Sequence, residues 1–117
     1  MKKDVSLEKD FEQYKDKLII VEGKKDVAAL KALGFKFIAQ IHHGTSLRER
    51  TEEIISLSKN KEICVLMDRD KEGRKLSYQI NQILQEHGIK IDKSLRRLLN
   101  KNGISHIEGL YNFIENN

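Results

Sequence analysis

Proline is absent from the 117-residue sequence, and cysteine occurs only once, as Cys64. A single cysteine excludes an internal disulfide framework and a zinc site built from several cysteines. Without proline, glycine has to supply the turns between secondary-structure elements. Aromatic residues are also few, with four phenylalanines, three tyrosines and no tryptophan. They form no evident row, so base stacking of the kind used by single-strand-binding barrels has little support.

Long apolar runs are absent too, because none approaches the roughly 20 residues that a membrane-spanning helix needs. The N-terminus begins with Met1-Lys2-Lys3-Asp4 and leads into a charged stretch rather than an apolar signal region. We therefore expect a cytoplasmic protein with no membrane partner. Hydrophobic residues make up 38% and charged residues 34% of the chain, which is typical of a globular protein rather than a disordered one.

Strand and helix patterns alternate along the chain, which predicts βαβ units and a parallel sheet in a single α/β domain over residues 1–117. The apolar runs predict about four parallel strands flanked by helices, at 17–21, 37–41, 62–67 and 89–91. A core spanning about 17–92 is expected to follow a helix over 5–16 and to precede two short helices over 95–115.

The positive charge is unevenly distributed. The chain carries 22 basic and 18 acidic residues, a formal net charge of +4. In segment 90–101, Asp92 is the one acid among five basic residues: Lys90, Lys93, Arg96, Arg97 and Lys101. This basic segment favours nucleic acid as a partner, because lysine and arginine neutralise backbone phosphates.

Acidic residues follow two of the predicted strands at their carboxyl ends. Glu22 comes directly after the first strand, and Asp68 and Asp70 follow the third. Ligands of parallel sheets bind at this edge. If the two strands are neighbours, three carboxylates meet there and repel one another unless a cation neutralises them. Oxygen ligands favour Mg²⁺, Mn²⁺ or Ca²⁺ over zinc, and magnesium commonly bridges to phosphate oxygens. The pattern therefore indicates metal-dependent phosphate chemistry.

Two other classes of site share part of this pattern. Asp68, Asp70 and Gly73 match the first half of a calcium-binding loop, but Gln79 stands where that loop needs glutamate. Phosphatases of the haloacid dehalogenase type also carry Asp-x-Asp after a strand. Glu72 stands where their motif normally has threonine or valine. A phosphatase acting on small phosphate esters remains an alternative at this stage.

The paired motifs resemble the Toprim domain, which topoisomerases, bacterial primases, OLD-type nucleases and the ribonuclease M-five group share. They are VEGKKD at Val21–Asp26 and LMDRDKEG at Leu66–Gly73. The Glu-Gly-Lys-x-Asp form is most similar to that of ribonuclease M-five and its small relatives. The resemblance implies a Rossmann-like, three-layer fold and Mg²⁺ or Mn²⁺ as the cofactor. It also implies nucleic acid as the partner, with RNA favoured over DNA.

The resemblance also implies a role for each matched residue. Glu22 would be the general acid or base, and Asp68 and Asp70 would hold the metal ion. Glu22 would equally serve as a third metal ligand, and the sequence leaves the two roles open. The remaining motif positions are expected to be structural: Gly23, Asp26 and Gly73.

Further residues are expected to bind phosphate, because they lie near the same edge or in the basic segment. They are Lys24, Arg69, Arg74, His43, Arg96 and Arg97. The sequence thus predicts Mg²⁺-dependent phosphodiester hydrolysis of the ribonuclease M-five type. The alternative is a non-catalytic, metal-dependent nucleic-acid-binding module of a primase-, nuclease- or topoisomerase-like assembly. In that case a partner protein supplies the substrate specificity.

Overall fold

The chain forms a small parallel sheet with helices on both faces, as a computed structural model shows for residues 5–41, 46–107 and 109–110. The elements follow in this order: α1 (Val5–Phe11), a 3₁₀ helix (Glu12–Tyr14), β1 (Leu18–Val21), α2 (Lys24–Ala32), β2 (Ile38–Gln40), α3 (Leu47–Leu57), β3 (Ile63–Leu66), α4 (Lys71–Glu86) and α5 (Ser94–Lys101). The predicted loop that contains His43 lies outside the described residues, as does most of the helix expected over 106–115.

The three strands are parallel and lie in the order β2-β1-β3. In the register of the central strand, Val21 pairs with Gln40 on one side and with Leu66 on the other. Every residue of β1 and β3 is buried. Continuous apolar sequences such as LIIV and ICVL suit strands that helices cover on both faces. The predicted α/β class is therefore confirmed.

Two hydrophobic cores lie on opposite faces of the sheet and make the fold three-layered. Successive side chains of a strand point to opposite faces. Ile19 and Val21 therefore pack into a core with α1, α2 and α5. Leu18 and Ile20 pack into the other core, which includes residues of α3 and α4. Glu22 and Asp68 follow the carboxyl ends of β1 and β3.

The expected fourth strand is reduced to one parallel bridge between Ile63 and Ile91. The Asp92 N–H still donates to the Ile63 carbonyl at 2.9 Å. Asp92 Oδ1 then accepts the Ser94 N–H at 2.8 Å, and this bond turns the chain into α5. Farther along the outer edge of β3, the Arg96 guanidinium donates to the Met67 carbonyl. A side chain thus takes the position that a longer strand would have occupied.

Within the part of the chain that the structure describes, no helix is both long enough and apolar enough to cross a lipid bilayer.

Asp92 provides a test of how the turn into α5 is held. Burial raises the pKa of its carboxyl, but hydrogen bonds from Lys17 and Ser94 outweigh burial and lower that pKa to about 2, from 3.8. The stabilisation is therefore present above about pH 4 and is lost as the pH falls through about 2. We expect Asp92→Asn to lower the free energy of unfolding by about 2 kcal/mol at pH 7. Urea denaturation over a pH series measures this.

Asp16→Asn is the matched control, because Asp16 is exposed and makes no ion pair within the described ranges. Its free energy of unfolding should differ from that of the wild type by less than about 0.5 kcal/mol at every pH. If Asp92→Asn lowers the free energy of unfolding by the same amount at pH 2 and at pH 7, the carboxylate charge does not hold the turn.

Candidate metal and nucleic-acid site

The residues that follow β1 and β3 lie next to each other at the carboxyl edge of the sheet. Because Val21 pairs with Leu66, Glu22 lies opposite Met67 and beside Asp68. Neighbouring strands are about 4.8 Å apart, so side chains leaving their ends share one space. Glu22 and Asp68 line the same groove, which encloses about 510 Å³. The strands β1 and β3 are therefore neighbours, which is the condition under which the sequence predicts that these acids converge.

Asp68, Asp70 and His106 form a compact group of potential metal ligands. One ligand atom from each residue lies within 4.8 Å of the ligand atoms of the other two. The Asp70 carboxylate also begins α4, because its Oδ1 accepts the Gly73 N–H at 2.7 Å. Asp68 Oδ1 accepts the Ile107 N–H at 3.4 Å. A carboxylate has two oxygens with several acceptor positions, so these backbone bonds still leave capacity for a cation.

His106 reaches the two aspartates because the chain after α5 crosses the end of β3. The Arg69 N–H donates to the Ser105 carbonyl at 3.0 Å. Ile107 is fully buried in the core beneath α5 and anchors the segment. The sequence analysis does not predict His106 as a ligand. No local pattern marks it, since its position depends on contacts between segments that are far apart in the chain.

Glu22 lies beside this group rather than within it. Its Oε1 atom is buried and has no hydrogen-bond partner in the described part of the chain. Burial raises the pKa of the Glu22 carboxyl, and the negative charges of Asp68 and Asp70 raise it further, with smaller contributions from Asp26 and Glu72. A half-buried carboxyl with a raised pKa and one unpaired oxygen is suited to exchanging a proton.

The two motif glycines, Gly23 and Gly73, differ in how strictly their surroundings require a residue without a side chain. A Cβ atom on Gly73 would lie 2.0 Å from the Asp68 carbonyl oxygen, so the backbone that presents Asp68 packs directly against this glycine. Among the described residues, a Cβ on Gly23 would meet only an Asp26 oxygen, at 3.9 Å. The Gly23 N–H donates to Asp26 Oδ2 at 3.1 Å, which holds the first turn of α2. Steric need is therefore strict at Gly73 and weak at Gly23.

Lys24 lines the groove as expected from the sequence, together with two residues that the sequence analysis did not single out. These are Lys25, its neighbour on α2, and Gln40, the last residue of β2. Gln40 was open to prediction, because the carboxyl end of β2 reaches the same edge as those of β1 and β3. The two lysines add positive charge to the lining of the groove.

The expected arginines are distributed differently from the lysines. Arg69 and Arg74 are exposed. Within the described part of the chain, neither guanidinium forms an ion pair with an acid at the carboxyl edge of the sheet. Arg96 and Arg97 line a second groove, outside β3. Burial lowers the pKa of the Arg96 guanidinium and nearby Arg69 lowers it further, while Asp68 opposes this change. His43 lies outside the described residues.

The donor set fits a small divalent cation. Carboxylate oxygens suit Mg²⁺, Ca²⁺ and Mn²⁺, whereas an imidazole nitrogen is a better ligand for transition metals. Two carboxylates and one imidazole therefore suit Mn²⁺ better than Mg²⁺, and their ligand atoms lie within 4.8 Å of one another. Mn²⁺ is the more informative probe, because nitrogen coordination favours it over Mg²⁺.

Comparison with known proteins identifies the family. The Toprim domain matches residues 16–94, and the chain belongs to the Toprim family. Its curated relatives are UPF0292 proteins, so within that family it belongs with the UPF0292 group. Toprim membership associates the chain with metal-dependent chemistry on nucleic acids.

Three of those relatives are archaeal. The Methanosarcina barkeri protein is 33% identical over 100 residues, which cover 83% of this chain and 68% of the relative. The Methanocaldococcus jannaschii protein is 31% identical, and the match covers 87% of this chain and 81% of the relative. The Pyrococcus abyssi protein is 36% identical, and the match covers 89% of this chain and 83% of the relative.

A solved structure of a protein from Aquifex aeolicus is similar in fold. Its TM-score is 0.75 at 23% identity, and the match covers 93% of this chain and 99% of that one. The resemblance to ribonuclease M-five in particular stays a prediction.

Proposed function

We propose that this chain is a metal-dependent nuclease that hydrolyses phosphodiester bonds, with RNA favoured as the substrate. The main support is the position of Glu22, which lines the same groove as Asp68 and has a buried Oε1 with no hydrogen-bond partner among the described residues. A buried carboxylate oxygen without a partner costs stability, so its presence on a half-buried glutamate beside a metal-capable group supports a chemical role. The preference for RNA rests on the resemblance to ribonuclease M-five.

In this proposal Asp68, Asp70 and His106 hold the cation, which when bound offsets the charge of the phosphoryl group and lowers the pKa of a water. Glu22 exchanges a proton with the attacking or leaving oxygen through its carboxylate. Lys24 and Lys25, which line the same groove, orient the backbone phosphates. Gly73 keeps the Asp68 backbone in place, and Asp26 fixes the first turn of α2, which carries the lysines.

The proposal predicts that the purified protein cleaves structured RNA with Mg²⁺ or Mn²⁺, and that EDTA removes the activity. Asp68→Asn should be inactive with either ion, because the cation site loses a charged ligand. RNA and DNA of the same hairpin sequence are compared by gel electrophoresis. A generic aryl phosphate is included to test for a phosphatase.

Absence of cleavage with every metal, in a preparation that binds Mn²⁺, would overturn the nuclease proposal. Metal-dependent binding of RNA without cleavage would instead support the non-catalytic module that works with a partner protein. Turnover of the aryl phosphate alone would favour the phosphatase.

A further inference from the structure

A second groove lies along the outer edge of β3, between α4 and α5, and encloses about 490 Å³. Its floor includes the apolar side chains of Val65 and Ile91. Ser77 and Asn81 of α4 form one wall, and the start of α5 forms the other. A volume between about 300 and 1,000 Å³ is typical of small-molecule sites. The groove is therefore large enough for a ligand of nucleotide size.

Two residues that line this groove each carry a polar atom without a partner. Asn81 Oδ1 and Arg96 Nη1 are both buried, and neither has a hydrogen-bond partner in the ranges that the structure describes. Buried polar atoms in folded proteins are nearly always paired. One of these atoms is an acceptor and the other is a charged donor. A ligand that satisfies both must carry an N–H or O–H group as well as an anionic or acceptor group.

The groove exists because the fourth strand ends early. On the outer edge of β3, alternate residues turn their N–H and C=O groups outward. Ile63 is paired through the bridge to Ile91, and the Met67 carbonyl accepts from Arg96. Val65 lies between them and faces the groove, which adds a backbone donor and a backbone acceptor to its floor.

Charge favours an anionic ligand. Lys93, Arg96 and Arg97 line the groove, and Asp92 is its one carboxylate among the described residues. Asp92 is already paired with Lys17. Arg96 also joins the groove to the candidate metal site, because it binds the carbonyl of Met67, the residue immediately before Asp68.

We propose that this groove binds one nucleotide, with its phosphate on Arg96 and Arg97 and an N–H or O–H of its base or sugar on Asn81 Oδ1. The inference rests on the proposed function in one respect, since it identifies the groove as the place where the substrate chain continues beyond the metal site. A nucleotide within a polynucleotide and a free mononucleotide offer the same groups. The experiment therefore includes both.

The test is NMR in EDTA, where no metal-dependent cleavage occurs. The side-chain amide signal of Asn81, assigned by its disappearance in Asn81→Leu, is followed during titration with adenosine 5′-monophosphate and with a short single-stranded RNA. We expect a shift with the RNA, and with the mononucleotide as well if the groove also takes free nucleotides. Asn81→Leu should bind roughly tenfold more weakly, as expected for one lost buried hydrogen bond.

Stability separates ligand binding from a structural role of Asn81. Removing an unpaired buried oxygen and leaving an apolar side chain of similar size is neutral or stabilising. The thermal midpoint of Asn81→Leu should therefore equal or exceed that of the wild type while its affinity falls. Arg97→Gln gives a second measurement on an exposed residue. It should reduce the slope of log K for RNA binding against log salt concentration by about one unit.

Lys36→Gln is the matched control, because it removes one positive charge from the opposite edge of the sheet. It should leave both the Asn81 shift and the salt slope unchanged. If neither ligand moves the Asn81 amide, or if Asn81→Leu and Arg97→Gln bind as the wild type does, the inference is wrong. If Asn81→Leu and Arg97→Gln cleave RNA and also bind it as tightly as the wild type does, the inference about the groove is wrong while the nuclease proposal stands. Binding in the groove without cleavage would overturn only the nuclease proposal.

Discussion

Replacing Gly73 by alanine is expected to disrupt the candidate metal site from a position that contributes no ligand. The added Cβ would lie 2.0 Å from the Asp68 carbonyl oxygen, where real contacts stay above 3.0 Å. Either the Asp68 backbone or the first turn of α4 must move by about 1 Å. A displacement of that size at reacting groups costs about 10²-fold in rate, and overpacking costs about 1–3 kcal/mol of stability. Mn²⁺ binding, cleavage and urea denaturation measure the three consequences.

Gly109→Ala is the matched control, because a Cβ at Gly109 meets no atom of the described residues within 4 Å and the backbone there is helical. Its stability and metal affinity should stay close to those of the wild type. If Gly73→Ala binds Mn²⁺ and unfolds as Gly109→Ala does, the close packing of Gly73 on Asp68 does not hold the site together.

Replacing Glu22 by glutamine is expected to lower the cleavage rate by about 10²–10⁴-fold, the range for loss of a general acid or base. Mn²⁺ affinity should change little, because Glu22 lies outside the group formed by Asp68, Asp70 and His106. Single-turnover cleavage and Mn²⁺ titration measure the two effects separately. Glu72→Gln is the control, since it removes the same charge from an exposed position in the first turn of α4. A large loss of Mn²⁺ affinity in Glu22→Gln would instead make Glu22 a metal ligand.

The same substitution should stabilise the metal-free protein at neutral pH. Burial and the neighbouring aspartates raise the pKa of the Glu22 carboxyl above 4.5 in the folded chain. Ionisation of Glu22 therefore opposes folding, and stability is lost as the pH rises from about 4.5 through the folded pKa. Glutamine removes this penalty, so the variant should match the wild type at low pH and exceed it at pH 7. Lower stability of the variant at pH 7 would contradict this account.

The parts of the fold that the sequence predicts well are those with strong local patterns. LIIV is followed directly by Glu22, and ICVL is followed by Met67 and then Asp68. These continuous apolar runs become the two fully buried strands whose ends bring Glu22 and Asp68 together. Cys64 lies within β3 as a small buried side chain. Burial raises the pKa of its thiol to about 12, which leaves it unreactive near neutral pH.

What the sequence does not predict depends on contacts between distant segments. His106 joins the aspartates because Ser105 and Ile107 bond to the end of β3, far away along the chain. The fourth strand stops at one bridge because the Asp92 carboxylate turns the chain into α5. Arg96 is half-buried against the Met67 carbonyl, although the run of basic residues around it is typical of a solvated surface.

The central claim is that the carboxyl edge of the sheet holds one divalent cation between Asp68, Asp70 and His106. Mn²⁺ titration followed by electron paramagnetic resonance tests it most directly, because the spectra report stoichiometry, affinity and nitrogen coordination together. We expect one Mn²⁺ per chain with an imidazole nitrogen signal. That signal should vanish in His106→Ala. Asp68→Asn should lose more affinity than the roughly 10–100-fold caused by loss of an outer-shell partner. Equal Mn²⁺ affinity in the wild type and both variants would contradict the claim.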